Sequence, residues 1–262
     1  MFCIRPQGGS GDIGHRVISL EYSRALPAAV VALGFTLVAR VIGAVSDGGA
    51  LAGALIAFLM MIAAGLGGFL PLVAVFVLTL LATRWRAERK RNLGVAERPS
   101  GRTASQVVAN LGAAALCAVA AIAFRRFDEL LLLGAMAALA EAAADTVSSE
   151  VGQAAAKQAR MVLDLRPAPI GTNGAISVAG TLAGCTAAFI IAWVSVFFGV
   201  VASQWMPVIT LAGVAGMLFD SVLGATLENR GTLGNDSVNF VSTVFAADLA
   251  LAAVLVTQAV RA

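Results

Sequence analysis

Histidine and cysteine are nearly absent from this chain. His15 is the only histidine, and Cys3, Cys117 and Cys185 are the only cysteines in 262 residues. His15 lies close to the N-terminus and reads as a surface residue, which sets aside histidine base catalysis and histidine metal ligation. Cys117 and Cys185 fall inside apolar runs and Cys3 near the N-terminus, so neither a disulfide framework nor a thiolate metal site is implied. Charged residues make up only 13% and the net charge is +3. Basic residues are not interleaved with aromatics, so no nucleic-acid partner is expected. Neither a Walker A sequence nor a protein-kinase glycine-rich loop is present, and any nucleotide site must be of another type. Residues 1–24 carry Arg5, Arg16 and Arg24 but no apolar signal core, and are expected to form a mobile tail.

What the chain has in excess is apolar length. Hydrophobic residues make up 59% and mean hydropathy is +0.89, beyond what a soluble core of this size could hide. They come in runs near the ~20 residues that span a bilayer. Candidate spans fall at 26–45, 51–66, 69–83, 107–124, 130–147, 175–201, 205–227 and 238–260. The expected fold class is therefore all-α, a polytopic transmembrane helix bundle. It has about eight spans, or six or seven if the short runs flanking Gly65 merge or one is re-entrant. Residues 25–262 form a single transmembrane helical domain.

The connection at 84–103 carries Arg84, Arg86, Arg89, Lys90, Arg91, Arg98 and Arg102 against only Glu88 and Glu97. The positive-inside rule makes it a cytoplasmic loop and accounts for the charge, with attraction to anionic lipid headgroups. Alternation from that anchor puts 46–50, 148–173 and 228–237 on the same side, in what is expected to be a bacterial inner (cytoplasmic) membrane.

Five polar clusters fall at that side. RTASQVVAN places Gln106 and Asn110 on one helix face. EAAADTVSSEVG carries Glu141, Asp145 and Ser149 in an i, i+4, i+8 stripe, with Glu150 just beyond. GTNGAISVAGT opens the sixth span, where Gly171, Thr172, Asn173 and Gly174 are expected at a helix N-terminus suited to phosphate, although a simple cap uses the same residue types. GMLFDSVLGAT aligns Gly216, Asp220 and Gly224, a stripe that admits a close helix neighbour beside a carboxylate. NDSVN brings Asn235, Asp236 and Asn239. Carboxylates at membrane depth usually face a cavity, a partner or an ion, so Glu141, Asp145 and Asp220 are functional candidates. Asp248 is expected to be a structural partner, for Arg40. Carboxylates with Asn and Ser oxygens suit a hard cation such as Mg²⁺, and together with a phosphate cradle they point to phosphoryl transfer. Transporters also carry intramembrane carboxylates and broken, glycine-rich helices.

The ordered set QVVAN, ADTVSSEVG, GTNGAISVAGT, DSVLGAT and NDSVN resembles the integral membrane family known as domain-of-unknown-function family ninety-two, or transmembrane-protein-nineteen-like. The likeness runs from the glycine-rich SDGGALAG at 46–53 through the last span. The resemblance implies the activity of the family's characterised branch, the phytyl-phosphate kinase of the vitamin E pathway. That activity transfers a nucleotide γ-phosphate to a prenyl monophosphate and yields the diphosphate. The pair DTVSSEVG and GTNGAISVAGT also resembles, more distantly, the CTP-using polyprenol kinases and phosphatidate cytidylyltransferases, without the lysine of their second motif. Carried over to this chain, the resemblance implies Mg²⁺ and a nucleoside triphosphate, CTP or another, as cofactors. The implied partners are a prenyl-phosphate lipid and the bilayer. Asp145, Glu150 and Asp220 would be the catalytic, metal-holding acids. Gly171–Gly174, Ser177, Thr181, Ser149, Ser221, Gln106, Asn110, Asn235, Asp236 and Asn239 would bind substrate and phosphate, with charge from Lys157, Arg160 and Arg166. A phosphate monoester ionises a second time near pH 6, so a nucleophilic oxygen of that kind needs no strong general base. The alternatives are an ion-coupled transporter or lipid flippase using the same carboxylates, and a non-catalytic membrane protein.

Overall fold

The computed structural model describes residues 10–96 and 100–261. Helix α1 (Ser10–Val41) is followed by α2 (Asp47–Arg84), the short α3 (Ala87–Asn92), α4 (Ala104–Ala123) and α5 (Asp128–Ala155). Helices α6 (Val178–Phe197), α7 (Met206–Leu223) and α8 (Asn235–Arg261) complete the bundle. All but α1 and α3 are long and apolar enough to cross a membrane, and the apolar part of α1, Ala25–Val41, is shorter. The fold is the all-α polytopic membrane bundle that the apolar runs require. The first nine residues of the expected N-terminal tail, with Cys3, lie outside the described residues, as does the side chain of His15.

Helix α2 contains both of the short apolar runs that flank Gly65. Straight, its 38 residues would reach about 57 Å, far beyond a hydrocarbon layer of ~30 Å. Gly65 instead adopts φ 61° and ψ −148°, which breaks the helix. A Cβ on Gly68 would stand 2.7 Å from the Met60 carbonyl oxygen, so the chain doubles back at this point. Gly49 and Thr83, from opposite ends of α2, consequently line one cavity. The two short runs flanking Gly65 are the arms of one helical hairpin, and eight apolar segments build the bundle.

Helix α5 is the axis. It packs on α2, α4, α6, α7 and α8, and every residue from 132 to 144 is buried. Alanine and glycine let neighbours come close, as membrane helix packing demands. A Cβ on Gly180 of α6 would meet the Ser148 carbonyl oxygen at 2.5 Å and the Gly152 Cα at 3.2 Å. The ends of α5 and α7 and the starts of α4 and α8 thereby gather at one rim.

The connection between α5 and α6 departs from the expected loop. Helix α5 continues to Ala155, and β1 (Ala159–Met161) then pairs antiparallel with β2 (Pro167–Ala168) and β3 (Ala175–Ile176), in the order β2-β1-β3. Strands this short leave no periodic trace in a sequence. The pairing expected between Arg40 and Asp248 does not form. Arg40 donates to Asp47, which the tight turn after α1 brings alongside, and Asp248 is exposed on α8.

Candidate functional site

Two adjoining polar cavities, of about 330 and 220 Å³, open at the rim where α4 and α8 begin and α5 and α7 end. They share Asp145, Ser149, Gln153, Asn235 and Asn239 and so form one basin. On the α5 wall, Asp145 and Ser149 stand one turn apart, as their spacing requires. Gln153 Nε2 donates to Ser149 Oγ at 3.2 Å, and Ser148 Oγ donates to the Asp145 carbonyl oxygen at 3.0 Å.

The α7 wall contributes Asp220, Ser221, Gly224 and Glu228. Asp220 accepts a hydrogen bond from Ser242 Oγ of α8 at 3.2 Å. Past Leu223 the helix widens into a π turn over Gly224–Glu228, a local departure frequent at functional sites. The GTNG turn lies directly on this bulge. Gly174, at φ +77°, has no room for a side chain, because a Cβ would stand 2.5 Å from the Ala225 nitrogen. A Cβ on Gly224 would likewise stand 3.0 Å from the Gly174 nitrogen. Asn229 Nδ2 secures the turn by donating to the Asn173 carbonyl oxygen at 3.2 Å.

Gly171, Thr172, Asn173 and Gly174 line the basin, but not as the helix start expected from the sequence. Gly171 and Gly174 both take positive φ, which a right-handed helix does not allow, and Ala175–Ile176 enters the small sheet. Helix α6 begins only after its N-cap Ser177, whose Oγ accepts from the Gly180 nitrogen at 3.1 Å. Ser177, Gly180 and Thr181 remain on the basin wall, so the helix N-terminus faces it three residues later than expected.

Gln106 and Asn110 reach the basin from α4. Gln106 also completes a capping box, its Oε1 accepting from the Thr103 nitrogen at 2.8 Å, and Asn110 Nδ2 donates to the Gln106 carbonyl oxygen at 2.8 Å. Asp236, expected to bind substrate, lies off the basin wall. It accepts from Ser105 Oγ and fastens the start of α8 to the start of α4.

The basic connection turns out to be structural in large part. Arg86 and Arg89 donate to the Ala154 and Ala156 carbonyls at 3.3 and 2.8 Å, satisfying and neutralising the C-terminal end of α5. Lys90 is buried and donates to the Ala82 and Thr83 carbonyls, at 3.0 and 2.6 Å, and to Glu150. Thr83 Oγ1 donates to the other Glu150 oxygen at 2.8 Å. Both oxygens of Glu150 are thus engaged, although it lines the basin. Lys157, Arg160 and Arg166, expected to supply charge, are exposed and off the basin wall. Arg160 donates to the Leu165 carbonyl and Arg166 pairs with Asp164, contacts within the small sheet and its turn. Among the described residues, the cation that lines the basin is Arg102, whose charge acts on Asp145. Sequence reading counted Arg102 only as loop charge. Glu228 was likewise placed in a loop, and no pattern in LENRGTLGND distinguishes it.

Beneath the basin lies Glu141, buried, with Oε1 lacking a hydrogen-bond partner and its carboxylate within electrostatic range of Asp145 and Asp220. Gly216 makes room for it, since a Cβ there would stand 2.5 Å from Glu141 Cγ. Among the described residues no three His, Cys, Asp or Glu side chains gather into a ready cage for a metal ion. Mg²⁺ rarely needs one, because one or two carboxylates complete a shell made mostly of phosphate oxygens and water. Asp145 and Asp220, on facing walls, fit that arrangement, and Glu150, held by Lys90 and Thr83, does not.

Residues 30–247 match the family model described as integral membrane protein DUF92. Among curated proteins, the chain is 37% identical over 193 residues to uncharacterized membrane protein sll0875 of Synechocystis, covering 72% of this chain and 74% of that one. It is 34% identical over 185 residues to Protein VTE6, chloroplastic, of Arabidopsis thaliana, covering 68% of this chain and 56% of the relative. It is 31% identical over 199 residues to uncharacterized membrane protein MJ0933 of Methanocaldococcus jannaschii, covering 75% and 80%. No solved structure matches.

Proposed function

From the premise that this chain belongs to the integral membrane family DUF92, we propose that it is a lipid-phosphate kinase, transferring the γ-phosphate of a nucleoside triphosphate to a prenyl monophosphate. The reaction class comes from the phytyl-phosphate kinase branch that the five motifs resemble. The observation that carries the reading is the single basin. Segments far apart in sequence bring Asp145, Asp220, a glycine-bearing turn, a helix N-terminus and Arg102 around one polar space at the end of membrane helices. The basic 84–103 connection supports a cytoplasmic placement of this rim, which gives water-soluble nucleotide access, and the membrane we propose is a bacterial inner one.

In this mechanism an oxygen of the acceptor monophosphate forms a bond to the γ-phosphorus. The bond from that phosphorus to the bridging oxygen breaks, and nucleoside diphosphate departs with the electron pair. Mg²⁺, when bound, neutralises charge on the transferring phosphates. Asp145 and Asp220 would hold that ion. The Gly171–Gly174 turn, Ser177 and Thr181 orient phosphate oxygens, and Arg102 balances the developing charge. No base is required, because the acceptor oxygen is already ionised at neutral pH.

The test is purified protein with prenyl monophosphates of several chain lengths, Mg²⁺ and each γ-labelled nucleoside triphosphate. Labelled prenyl diphosphate, its formation slowed about 10²- to 10³-fold by Asp145→Asn in a folded protein, is the expected result. No diphosphate at any chain length overturns the proposal, and nucleotide-independent, gradient-driven flux in proteoliposomes would establish transport in its place.

A further inference from the structure

Beside the polar basin lies a second cavity of different character, about 330 Å³ in volume and walled largely by apolar side chains. That volume falls within the ~300–1,000 Å³ of small-molecule sites. Its deep end is formed by Phe35 of α1 and Leu72, Val75 and Phe76 of the second α2 arm. Its shallow end reaches Arg84, Arg91 and Arg102. From Leu72 to Arg84 the slot runs about 18 Å along the helix. Helix α1 packs chiefly on α2, so the slot lies between α1 and α4 where these two helices leave space.

The slot and the basin are not separate. Ala96, Arg102 and Asn110 line both. Arg102 is fixed at this junction by its backbone. Its nitrogen donates to the Ala44 carbonyl, and its carbonyl accepts from the Ser46 nitrogen, both at 3.0 Å. Gly49 has no room for a Cβ because the Arg102 carbonyl oxygen occupies that space, and a Cβ on Gly101 would stand 2.7 Å from the Val45 nitrogen. The glycines of SDGGALAG and the GRT segment therefore dock two loops together and hold one arginine between an apolar slot and a polar basin.

We infer that this slot holds the single apolar chain of a lipid monophosphate, and that Arg102 binds its phosphate where the slot meets the basin. The inference rests on the kinase reading for the identity of the headgroup. The occupant follows from the chemistry: an apolar tail matches the deep walls, and an anionic head matches the arginines at the mouth. Arg102 is then a substrate-binding residue that delivers the acceptor phosphate towards Asp145.

A prenyl monophosphate bearing a diazirine near the end of its chain tests this on the full chain in detergent, without nucleotide. The expected crosslinks fall on the peptides containing Phe35 and Leu72–Phe76. Arg102→Gln is expected to weaken labelling about tenfold or more, the worth of one charge-assisted contact, with partial recovery in Arg102→Lys. Gly53 lines the slot, and a Cβ there meets no atom within 4 Å. Gly53→Leu is therefore expected to fill part of the slot with the fold kept, and to shift labelling and turnover towards shorter chains. Crosslinks confined to other helices, or a Gly53→Leu protein with unchanged chain-length preference, overturn the inference while leaving a kinase intact. Slot labelling with no diphosphate product overturns the kinase and leaves the slot.

Discussion

The two halves of this molecule are built by different rules. Around the basin, neighbouring elements approach closely at glycines: Gly180 on Ser148 and Gly152, Gly213 on Ala140, Gly216 on the Glu141 side chain, Gly174 on Ala225. The membrane window of α5 is 78% buried, whereas that of α2 is 28% buried. At the deep end of the slot, α1 and α2 meet through larger side chains such as Phe35 against Phe69 and Phe76, and higher up a Cβ on Gly53 would meet no atom within 4 Å. Close backbone packing fixes polar side chains within the small tolerances that chemistry needs. Looser packing leaves the space in which the lipid chain is proposed to lie. One buried cluster, Thr83, Lys90 and Glu150, ties the two halves together.

That tie gives the largest expected effect. Lys90→Met leaves Glu150 as an uncompensated buried charge, and a loss of about 3–5 kcal/mol is expected by thermal unfolding in detergent. Adding Glu150→Gln recovers part of it. No loss in the single variant would mean that the halves are not joined there. Next come the basin acids. Asp220→Asn or Asp145→Asn is expected to lower turnover about 10²- to 10³-fold, the scale for removing one group that stabilises developing charge, with melting temperature little changed. Equal losses of stability and rate would make these residues structural.

The packing contrast itself is sharpened by a pair of glycines. Gly180→Val drives a side chain into the Ser148 carbonyl and is expected to cost about 1–3 kcal/mol. Gly53→Leu is expected to be neutral in the same thermal assay, and similar losses at both would erase the distinction between the halves. The smallest effect is expected at the α4 cap. Thr103→Ala removes half of the capping box with Gln106 and is expected to cost about 1 kcal/mol by the same measurement.

Hydropathy and small-residue stripes made the bundle legible, because a bilayer imposes apolar length and close packing imposes glycine. The runs flanking Gly65 left two spans, a merged one or a re-entrant one open until the break at Gly65 was seen, and the five motifs marked which helix ends carry polar groups. Less legible was anything set by contacts between distant segments. Lys90 and Arg102 looked alike within a basic loop, yet one is buried against Glu150 and the other stands between two cavities. The small sheet after α5 was hidden because two- and three-residue strands have no pattern, and it displaced the start of α6 from the glycines to Ser177.

Whether one charged ligand is gripped at one rim can be measured directly. In a chain lacking Cys3, Cys117 and Cys185, single cysteines at Ser149, Thr172 and Asn235 would be treated with a membrane-impermeant maleimide in oriented vesicles. All three are expected to react from the same side and to be protected together by nucleotide with Mg²⁺. Reaction of any two from opposite sides, or protection at none of them, would contradict the shared basin.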